Sequence, residues 1–246
     1  MPARPNDAAT FHALHRELLI LPNVWDAASA KIVETAGAKA IVTSSAAVAW
    51  SRAYADGHDL PIALLAETVA QIANITNLPI SADAEGGYSD DVAQVAKNIA
   101  SLIQAGAVGI NLEDGRAPHD LHLKKIEAVR EAAEREGVNL YINARTDVYL
   151  KQLVPAEQAL EETLRRAKAI REAGASGIFV PGVFNAEEIG AIVKGVGLPL
   201  NVMARPGVPK MAELKALCNE LTELVDLADT LNQMLTRLED SFQRLS

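Results

Sequence analysis

A short pattern recurs three times along the chain and restricts the fold more than any other feature. In each copy a helical stretch ends, a glycine between two alanines follows, and an apolar segment comes next. The copies occupy residues 34–42, 104–112 and 172–180, with glycines at Gly37, Gly106 and Gly174. A glycine at the end of a helix readily adopts the left-handed conformation that closes the last turn. The pattern therefore predicts a helix-to-strand connection repeated along the sequence.

The apolar segments predict seven strands that alternate with helices. The strands are expected near residues 18–24, 39–45, 78–83, 109–113, 140–145, 177–181 and 198–204. The helices between them include 90–105, 120–136 and 156–173. Near-continuous apolar strands separated by helices are typical of a parallel sheet covered on both faces. Because no Gly-x-Gly-x-x-Gly follows the first strand, the repeat favours a TIM-type (β/α)8 barrel over a dinucleotide-binding sheet.

The chain is predicted to divide into a barrel domain, residues 1–217, and a C-terminal helical extension, residues 218–246. In the extension, apolar residues recur alternately three and four positions apart from Leu217 to Leu245. This heptad seam indicates a helix that packs on its own barrel or on a partner subunit. An eighth strand is in doubt, because residues 218–228, where it belongs, have the helical pattern.

The composition argues against several function classes. A formal net charge of -9 disfavours nucleic acid and anionic membranes as partners. The one cysteine, Cys218, excludes an intrachain disulfide and fits a reducing compartment. No stretch approaches the roughly 18 apolar residues that span a bilayer, and the N-terminus lacks the apolar core of a signal peptide. We therefore expect a cytoplasmic protein.

Acidic residues follow several predicted strands, and the active site of a barrel lies at those strand ends. They are Asp26, Asp83, Glu85, Glu113, Asp114 and Asp147. Residues two apart in a strand point to the same side, so Asp83 and Glu85 are expected to converge. An oxygen-rich cavity of this kind suits Mg²⁺ or Mn²⁺. For any single pair, solvation at a strand end is the alternative.

Arg145 lies among these acids, and two roles remain open for it. Its guanidinium is suited to holding a substrate carboxylate through two parallel hydrogen bonds. Its spacing is equally consistent with a salt bridge to Asp147 or Glu113.

The histidines and the cysteine show no arrangement typical of a nucleophilic triad, and no metal-ligand spacing is recognised among the histidines. His12 and His15 are interpreted as solvated N-terminal residues. His58 lies beside Asp56 on a predicted loop, where contact with substrate is one of its possible roles. His119 and His122 follow the fourth strand and are expected near the mouth of the barrel.

Four segments together resemble the isocitrate lyase / phosphoenolpyruvate mutase superfamily. They are residues 41–46 (Ile-Val-Thr-Ser-Ser-Ala), 83–88 (Asp-Ala-Glu-Gly-Gly-Tyr), 110–114 (Ile-Asn-Leu-Glu-Asp) and 144–147 (Ala-Arg-Thr-Asp). Residues 22–27 and 180–182 are similar to those of its short bacterial branch. The resemblance runs from about residue 10 to residue 217. It implies a (β/α)8 barrel, a divalent metal and a small carboxylate substrate whose enolate is stabilised at the metal.

The resemblance also implies roles for individual residues. The implied metal site consists of Asp83, Glu85 and Glu113, with Glu85 at a position where the family usually has aspartate. The implied catalytic residues are Asp56, Glu113 and Arg145. The implied substrate contacts are Ser44, Ser45, Ala46 and Arg145. Trp25 and Asn201, at the ends of the first and seventh strands, complete the predicted substrate site. Subunits of this superfamily often exchange C-terminal helices, so a homodimer or homotetramer is expected.

Two loop motifs of the family are absent from this chain, and their absence narrows the range of expected activities. The loop after strand four, residues 115–123, lacks the cysteine motif of the isocitrate and methylisocitrate lyases and the gating motif of the mutases. The leading hypothesis is a Mg²⁺-dependent lyase or hydrolase that cleaves a C–C or P–C bond of a small keto or hydroxy acid. The alternatives are a mutase-like isomerase, a non-catalytic carboxylate-binding homo-oligomer and an unrelated phosphate-binding barrel.

Overall fold

The structure, a computed structural model, describes residues 5–219 and contains a curled parallel sheet of seven strands. The strands are β1 Asn23–Val24, β2 Ile41–Thr43, β3 Ile80–Asp83, β4 Gly109–Glu113, β5 Tyr141–Arg145, β6 Gly177–Phe179 and β7 Leu200–Asn201. Each strand pairs in parallel with the next one in the chain. This order is that of a (β/α)8 barrel and confirms the predicted fold class. The doubtful eighth strand and the heptad extension lie almost wholly outside the described residues.

Helices connect the strands as the repeat predicts. They are α1 Pro5–Leu14, α2 Ala27–Thr35, α3 Ser45–Ser51, α4 Ile62–Ile75, α5 Val92–Ala105, α6 His119–Arg135, α7 Ala159–Glu172, α8 Ala186–Val196 and α9 Met211–Asn219. The three helices whose bounds the sequence predicted are α5, α6 and α7, and each is confirmed to within three residues at either end. Within residues 5–219, no helix is long and apolar enough to cross a membrane.

The repeated glycines adopt the conformation that the pattern predicts. Gly37, Gly106 and Gly174 have φ angles of 96°, 120° and 99°. This region of φ is open to glycine but strained for residues with a Cβ atom. The repeat therefore marks the points where α2, α5 and α7 end and the chain turns back into the sheet.

Aliphatic side chains fill the space between the sheet and the helices. The buried face of α5 shows the pattern, with Val95, Ile99, Leu102 and Ile103 at helical spacing and no more than 2% exposed. Aromatic residues make up only 4% of the chain, so alanine, valine, isoleucine and leucine supply most of this core. The rigid sheet that results fixes where its strand ends lie.

Helix α1 was not predicted, and it packs against the sheet. The Phe11 ring lies edge-on to Tyr141 with 5.3 Å between centroids, and His15 stacks on the same tyrosine at 3.8 Å. A Cβ atom on Gly109 would lie 2.5 Å from Phe11 Cε1, so glycine is needed at the start of β4. The prediction that His12 and His15 are solvated was wrong. Desolvation by burial lowers the pKa of His15 to about 4.

Several strands are shorter than the apolar segments that predicted them. Leu18, Leu19 and Leu21 pack against the core, yet β1 begins only at Asn23. Strand β2 ends earlier than predicted, because Ser44 caps helix α3 instead of continuing the strand. Apolar character reports burial, whereas a strand also needs a hydrogen-bonded neighbour, and the sequence pattern does not separate the two.

Candidate active site

The carboxylates predicted after β3 come close together, but not for the predicted reason. Strand β3 ends at Asp83, and Glu85 has a left-handed backbone with a φ of 48°. The strand alternation that predicted their convergence therefore does not extend to Glu85. Burial raises the pKa of Glu85, and the negative charge of nearby Asp83 adds to this rise.

Asp83 is held by contacts from two neighbouring elements. Its backbone N–H donates to Thr43 Oγ1 at 2.8 Å, which fixes the end of β3 against β2. Its carboxylate accepts two longer contacts of 3.4 Å, from the N–H groups of Ser45 and of Glu85. The Ser45 side chain is a further partner. A carboxylate has about four acceptor positions and the two N–H contacts are weak, so Asp83 keeps capacity to bind a cation.

Arg145 and Lys151 bridge the acids at the ends of β4 and β5. Arg145 Nη1 lies 3.0 Å from Glu113 Oε2, and Arg145 Nε lies 2.7 Å from Asp147 Oδ1. Lys151 Nζ lies 2.7 Å from Asp147 Oδ2 and 3.4 Å from Glu113 Oε1. The salt-bridge alternative for Arg145 is therefore present with both proposed partners. The guanidinium also lies over the Phe179 ring, 5.7 Å from its centroid.

The loop that contains Asp56 and His58 folds over the end of β3. The His58 N–H donates to Glu85 Oε2 at 2.7 Å, and His58 Nε2 accepts from the Gly86 N–H at 2.9 Å. Because Nε2 accepts, a neutral His58 carries its proton on Nδ1. Asp56 itself is exposed, and its charge helps to raise the pKa of Glu85.

Strained backbone is concentrated in these loops. Within the described residues, positive φ angles outside glycine occur at Ala53, His58, Glu85, Tyr88 and Gln152. All five residues lie outside the helices and strands, in the connections after α3, β3 and β5. Residues held in this region of φ persist only where the surrounding structure fixes them, and they are frequent at functional sites.

Burial makes ionisation of the carboxyl groups in the site energetically unfavourable. Desolvation raises the pKa of Asp83, of Glu113 and of Glu85, the last to about 7. The positive charge of Arg145 acts in the opposite direction on Asp83 and Glu113. Carboxylates in this state are stabilised in their charged form by an additional cation.

These residues fit a divalent cation held mostly through water. In the described part of the chain, the three carboxylates are too far apart for all their ligand atoms to lie within 4.8 Å of one another. They belong to Asp83, Glu85 and Glu113. Glu113 is already held by Arg145 and Lys151, which leaves Asp83 as the most available ligand. Mg²⁺ keeps several of its waters and needs only one or two carboxylates, so this arrangement suits it.

The other predicted substrate residues lie at the same end of the sheet. Ser44 is the N-cap of α3 and accepts from the Ala47 N–H, and Ser45 directs its N–H towards Asp83. Ala46 follows in the first turn of α3. Trp25 comes after β1 and is 43% exposed, and Asn201 ends β7. The two therefore lie at the ends of the first and the last strands of the described sheet.

Lys151 was missed from the sequence. It follows the predicted Asp147, which is fully buried, by four residues, and together they complete the ion-pair network around Arg145. The prediction that the histidines have no metal-ligand spacing was also wrong. His119 and His122 lie three residues apart in α6, where they face one side of the helix, and Asp114 joins them. The three-residue spacing of these histidines could have indicated a metal site from the sequence, but only if the start of α6 had been predicted at the correct residue.

Known proteins resemble the chain in both sequence and fold. Residues 11–222 match the phosphoenolpyruvate phosphomutase family. An uncharacterized protein of Mycobacterium tuberculosis is 32% identical over 204 residues, covering 81% of this chain and 75% of the relative. Oxaloacetate decarboxylase of Pseudomonas fluorescens is 30% identical over 223 residues, covering 83% of this chain and 73% of the relative.

Solved structures give the same assignment. A candidate phosphonomutase from Burkholderia cenocepacia has a TM-score of 0.82 and 42% identity, with 86% of this chain and 89% of that chain covered. A phosphonopyruvate hydrolase in complex with oxalate and Mg²⁺ has a TM-score of 0.75 and 25% identity, with 86% of this chain and 77% of that chain covered. The sequence match, the barrel topology and the acidic strand ends agree, and the chain belongs to the phosphoenolpyruvate phosphomutase family, within the isocitrate lyase superfamily.

Proposed function

We propose that this protein is a Mg²⁺-dependent lyase or hydrolase that cleaves a C–C or P–C bond of a small α-keto or α-hydroxy carboxylate. The observation that carries the proposal is the set of partly desolvated carboxylates at Asp83, Glu85 and Glu113, beside a guanidinium at Arg145. Such a set suits one divalent cation and one anionic substrate. The phosphonopyruvate hydrolase with oxalate and Mg²⁺ supports the same pairing.

Each residue has a distinct role in this proposal. The cation, when bound, supplies Lewis-acid stabilisation of the enolate that bond cleavage leaves. Asp83, Glu85 and Glu113 would hold it, with Asp83 as the most available ligand. Arg145 holds the substrate carboxylate, with the N–H groups of the Ser44–Ala46 segment as further donors. Trp25 and Asn201 border the substrate, and Asp56 lies on the loop that closes over it.

A phosphonate isomerase is the second candidate, because the Burkholderia protein with 42% identity is described as a phosphonomutase. The two activities differ in the fate of the P–C bond. A hydrolase releases inorganic phosphate and pyruvate from phosphonopyruvate, whereas an isomerase moves the phosphorus to oxygen and releases no phosphate. Phosphorus NMR of the reaction mixture separates them. A separate assay with oxaloacetate as the substrate, in which the release of oxalate or pyruvate is measured, tests C–C cleavage.

The central test is Asp83→Asn, which keeps the shape of the side chain and removes its charge. We expect Mg²⁺ binding, measured by calorimetry in the presence of oxalate, to weaken at least tenfold and turnover of the reactive keto acid to be lost. Glu134→Gln is the matched control, since it removes one exposed carboxylate from α6 and should change neither quantity. Unchanged Mg²⁺ affinity in Asp83→Asn would refute the assignment of the cation to this residue. Mg²⁺ binding without turnover of any keto acid would favour a non-catalytic binding protein.

A further inference from the structure

A second group of potential ligands lies where the loop after β4 enters α6. Asp114, His119 and His122 each offer one ligand atom, and these atoms all lie within 4.8 Å of one another. The two imidazoles are three residues apart on α6, with their ring centroids 6.5 Å apart. The cluster faces α7, whose Arg166 contacts Asp114. It shares no residue with the set proposed to hold Mg²⁺.

His122 is oriented as a metal-binding histidine usually is. Its Nε2 lies 3.0 Å from the carbonyl oxygen of Leu112, and because a carbonyl only accepts, Nε2 carries the proton. The lone pair is then on Nδ1, which is buried in a residue only 1% exposed. A backbone carbonyl that holds one ring nitrogen and leaves the other free is the common arrangement behind a metal ligand.

Three buried ring nitrogens in this cluster have no hydrogen-bond partner among the described residues. They are Nδ1 of His122 and both ring nitrogens of His119. Buried polar atoms nearly always have a partner, so three in one place call for an explanation. Desolvation lowers the pKa of both histidines, that of His122 to about 4, so both are neutral near pH 7 and their lone pairs are available.

Asp114 retains room for a further contact. It accepts from Thr146 Oγ1 at 2.7 Å, from the Asp147 N–H at 2.9 Å and from Arg166 Nη1 at 2.8 Å. A carboxylate has about four acceptor positions, so one remains. Arg166 opposes a cation here, but Glu162 neutralises part of its charge from 2.6 Å away, and Arg165 in turn pairs with Glu162.

We propose that Asp114, His119 and His122 form a Zn²⁺ site separate from the Mg²⁺ site at Asp83. Two imidazoles and one carboxylate are ligands that Zn²⁺ binds well, whereas Mg²⁺ prefers oxygen alone. Around tetrahedral zinc, ligand atoms lie about 3.4 Å apart, so the side chains need to move by at most about 1 Å on binding. A water molecule completes the four ligands. Because Asp114 also holds the Asp147 N–H, the site is linked to the acid that pairs with Arg145.

The test is zinc titration of the metal-free full-length protein in the presence of saturating Mg²⁺. The Cys218→Ser background removes the thiol as a competing ligand. We expect one equivalent of Zn²⁺ to bind, and Co²⁺ to give the visible absorption of a tetrahedral site. His119→Gln should weaken Zn²⁺ binding at least tenfold and leave Mg²⁺ binding unchanged. His12→Gln is the control, because it removes a histidine of α1 and should leave the zinc affinity unchanged.

Two outcomes would overturn the proposal: no stoichiometric Zn²⁺ binding in the Cys218→Ser protein, or equal zinc affinity with and without His119. His122 is buried, and His122→Gln is informative only if circular dichroism shows that it folds. His119 is only partly buried, so His119→Gln carries the test by itself. Failure of the Mg²⁺ proposal leaves this result unaffected, because the two titrations use different cations and different residues.

Discussion

At the scale of single residues, the role of Arg145 distinguishes a substrate-binding site from a set of internal ion pairs. Two of its three nitrogens are engaged by Glu113 and Asp147. These ion pairs orient the guanidinium and do not by themselves exclude a bound carboxylate. A pre-oriented arginine loses less conformational freedom when the substrate arrives.

Arg145→Lys separates the charge from the geometry. Lysine keeps the positive charge but lacks the planar fork, so we expect oxalate to bind about 10- to 100-fold more weakly, corresponding to about 1.5–3 kcal/mol for a charge-assisted hydrogen bond. Calorimetry with Mg²⁺ present measures the change. Arg171→Lys, on the exposed side of α7, is the control. If Arg145→Lys binds oxalate normally and only its melting temperature falls, the arginine is a structural ion-pair partner.

The residues of the site could be predicted from the sequence to different degrees. Asp83, Glu113 and Arg145 end regular strands, so strand periodicity placed them at one edge of the sheet. Glu85 could not be placed in this way, because its position depends on a left-handed backbone angle. Lys151 was missed because it reaches the acids from a turn, where no periodic pattern indicates its direction.

At the scale of elements, α1 shows what sequence periodicity leaves out. The helix contacts the sheet through two aromatic rings and a glycine on another strand, Gly109. Contacts between residues so far apart in sequence depend on the complete fold. The repeated helix–glycine–strand connections, by contrast, are local, and for this reason the alternation of helices and strands could be predicted.

The docking of α1 makes stability depend on pH. The pKa of His15 is about 4 in the folded protein and about 6.5 when unfolded, so the unfolded state binds more protons between these values. The free energy of unfolding should therefore fall as the pH decreases from 6.5 towards 4, by up to about 1.4 kcal/mol per pH unit for one such group. Urea denaturation at pH 7, 6 and 5 measures the slope.

His15→Gln should flatten this dependence, because glutamine does not titrate and still donates to the Phe11 carbonyl that His15 contacts at 2.7 Å. Some slope will remain, since the pKa of His122 is lowered in the same direction. Equal slopes in the two proteins would show that α1 does not keep His15 neutral.

At the scale of the whole molecule, the extension from Leu217 to Leu245 is proposed to join subunits into a homodimer or homotetramer. Leu231, Leu235 and Leu238 lie in the apolar seam, outside the described residues. A charge introduced in the seam should dissociate the oligomer, because it would have to be buried without a partner. We expect Leu235→Glu to lower the mass measured by light scattering, while Gln233→Glu, two residues away and outside the seam, should not. A full-length protein that is already monomeric would refute the proposal.

The left-handed residues around the site bear on how this protein can adapt to heat. Each of the five non-glycine positions with positive φ costs on the order of 1 kcal/mol of stability. Replacement by glycine would relax the backbone, but at Glu85 it would remove a carboxylate of the proposed site, and at His58 it would remove the imidazole that accepts from the Gly86 N–H beside that carboxylate. A lineage under selection for thermal resistance would thus gain stability at the same positions where it risks its activity. Its safer substitutions lie within the helices, away from these connections.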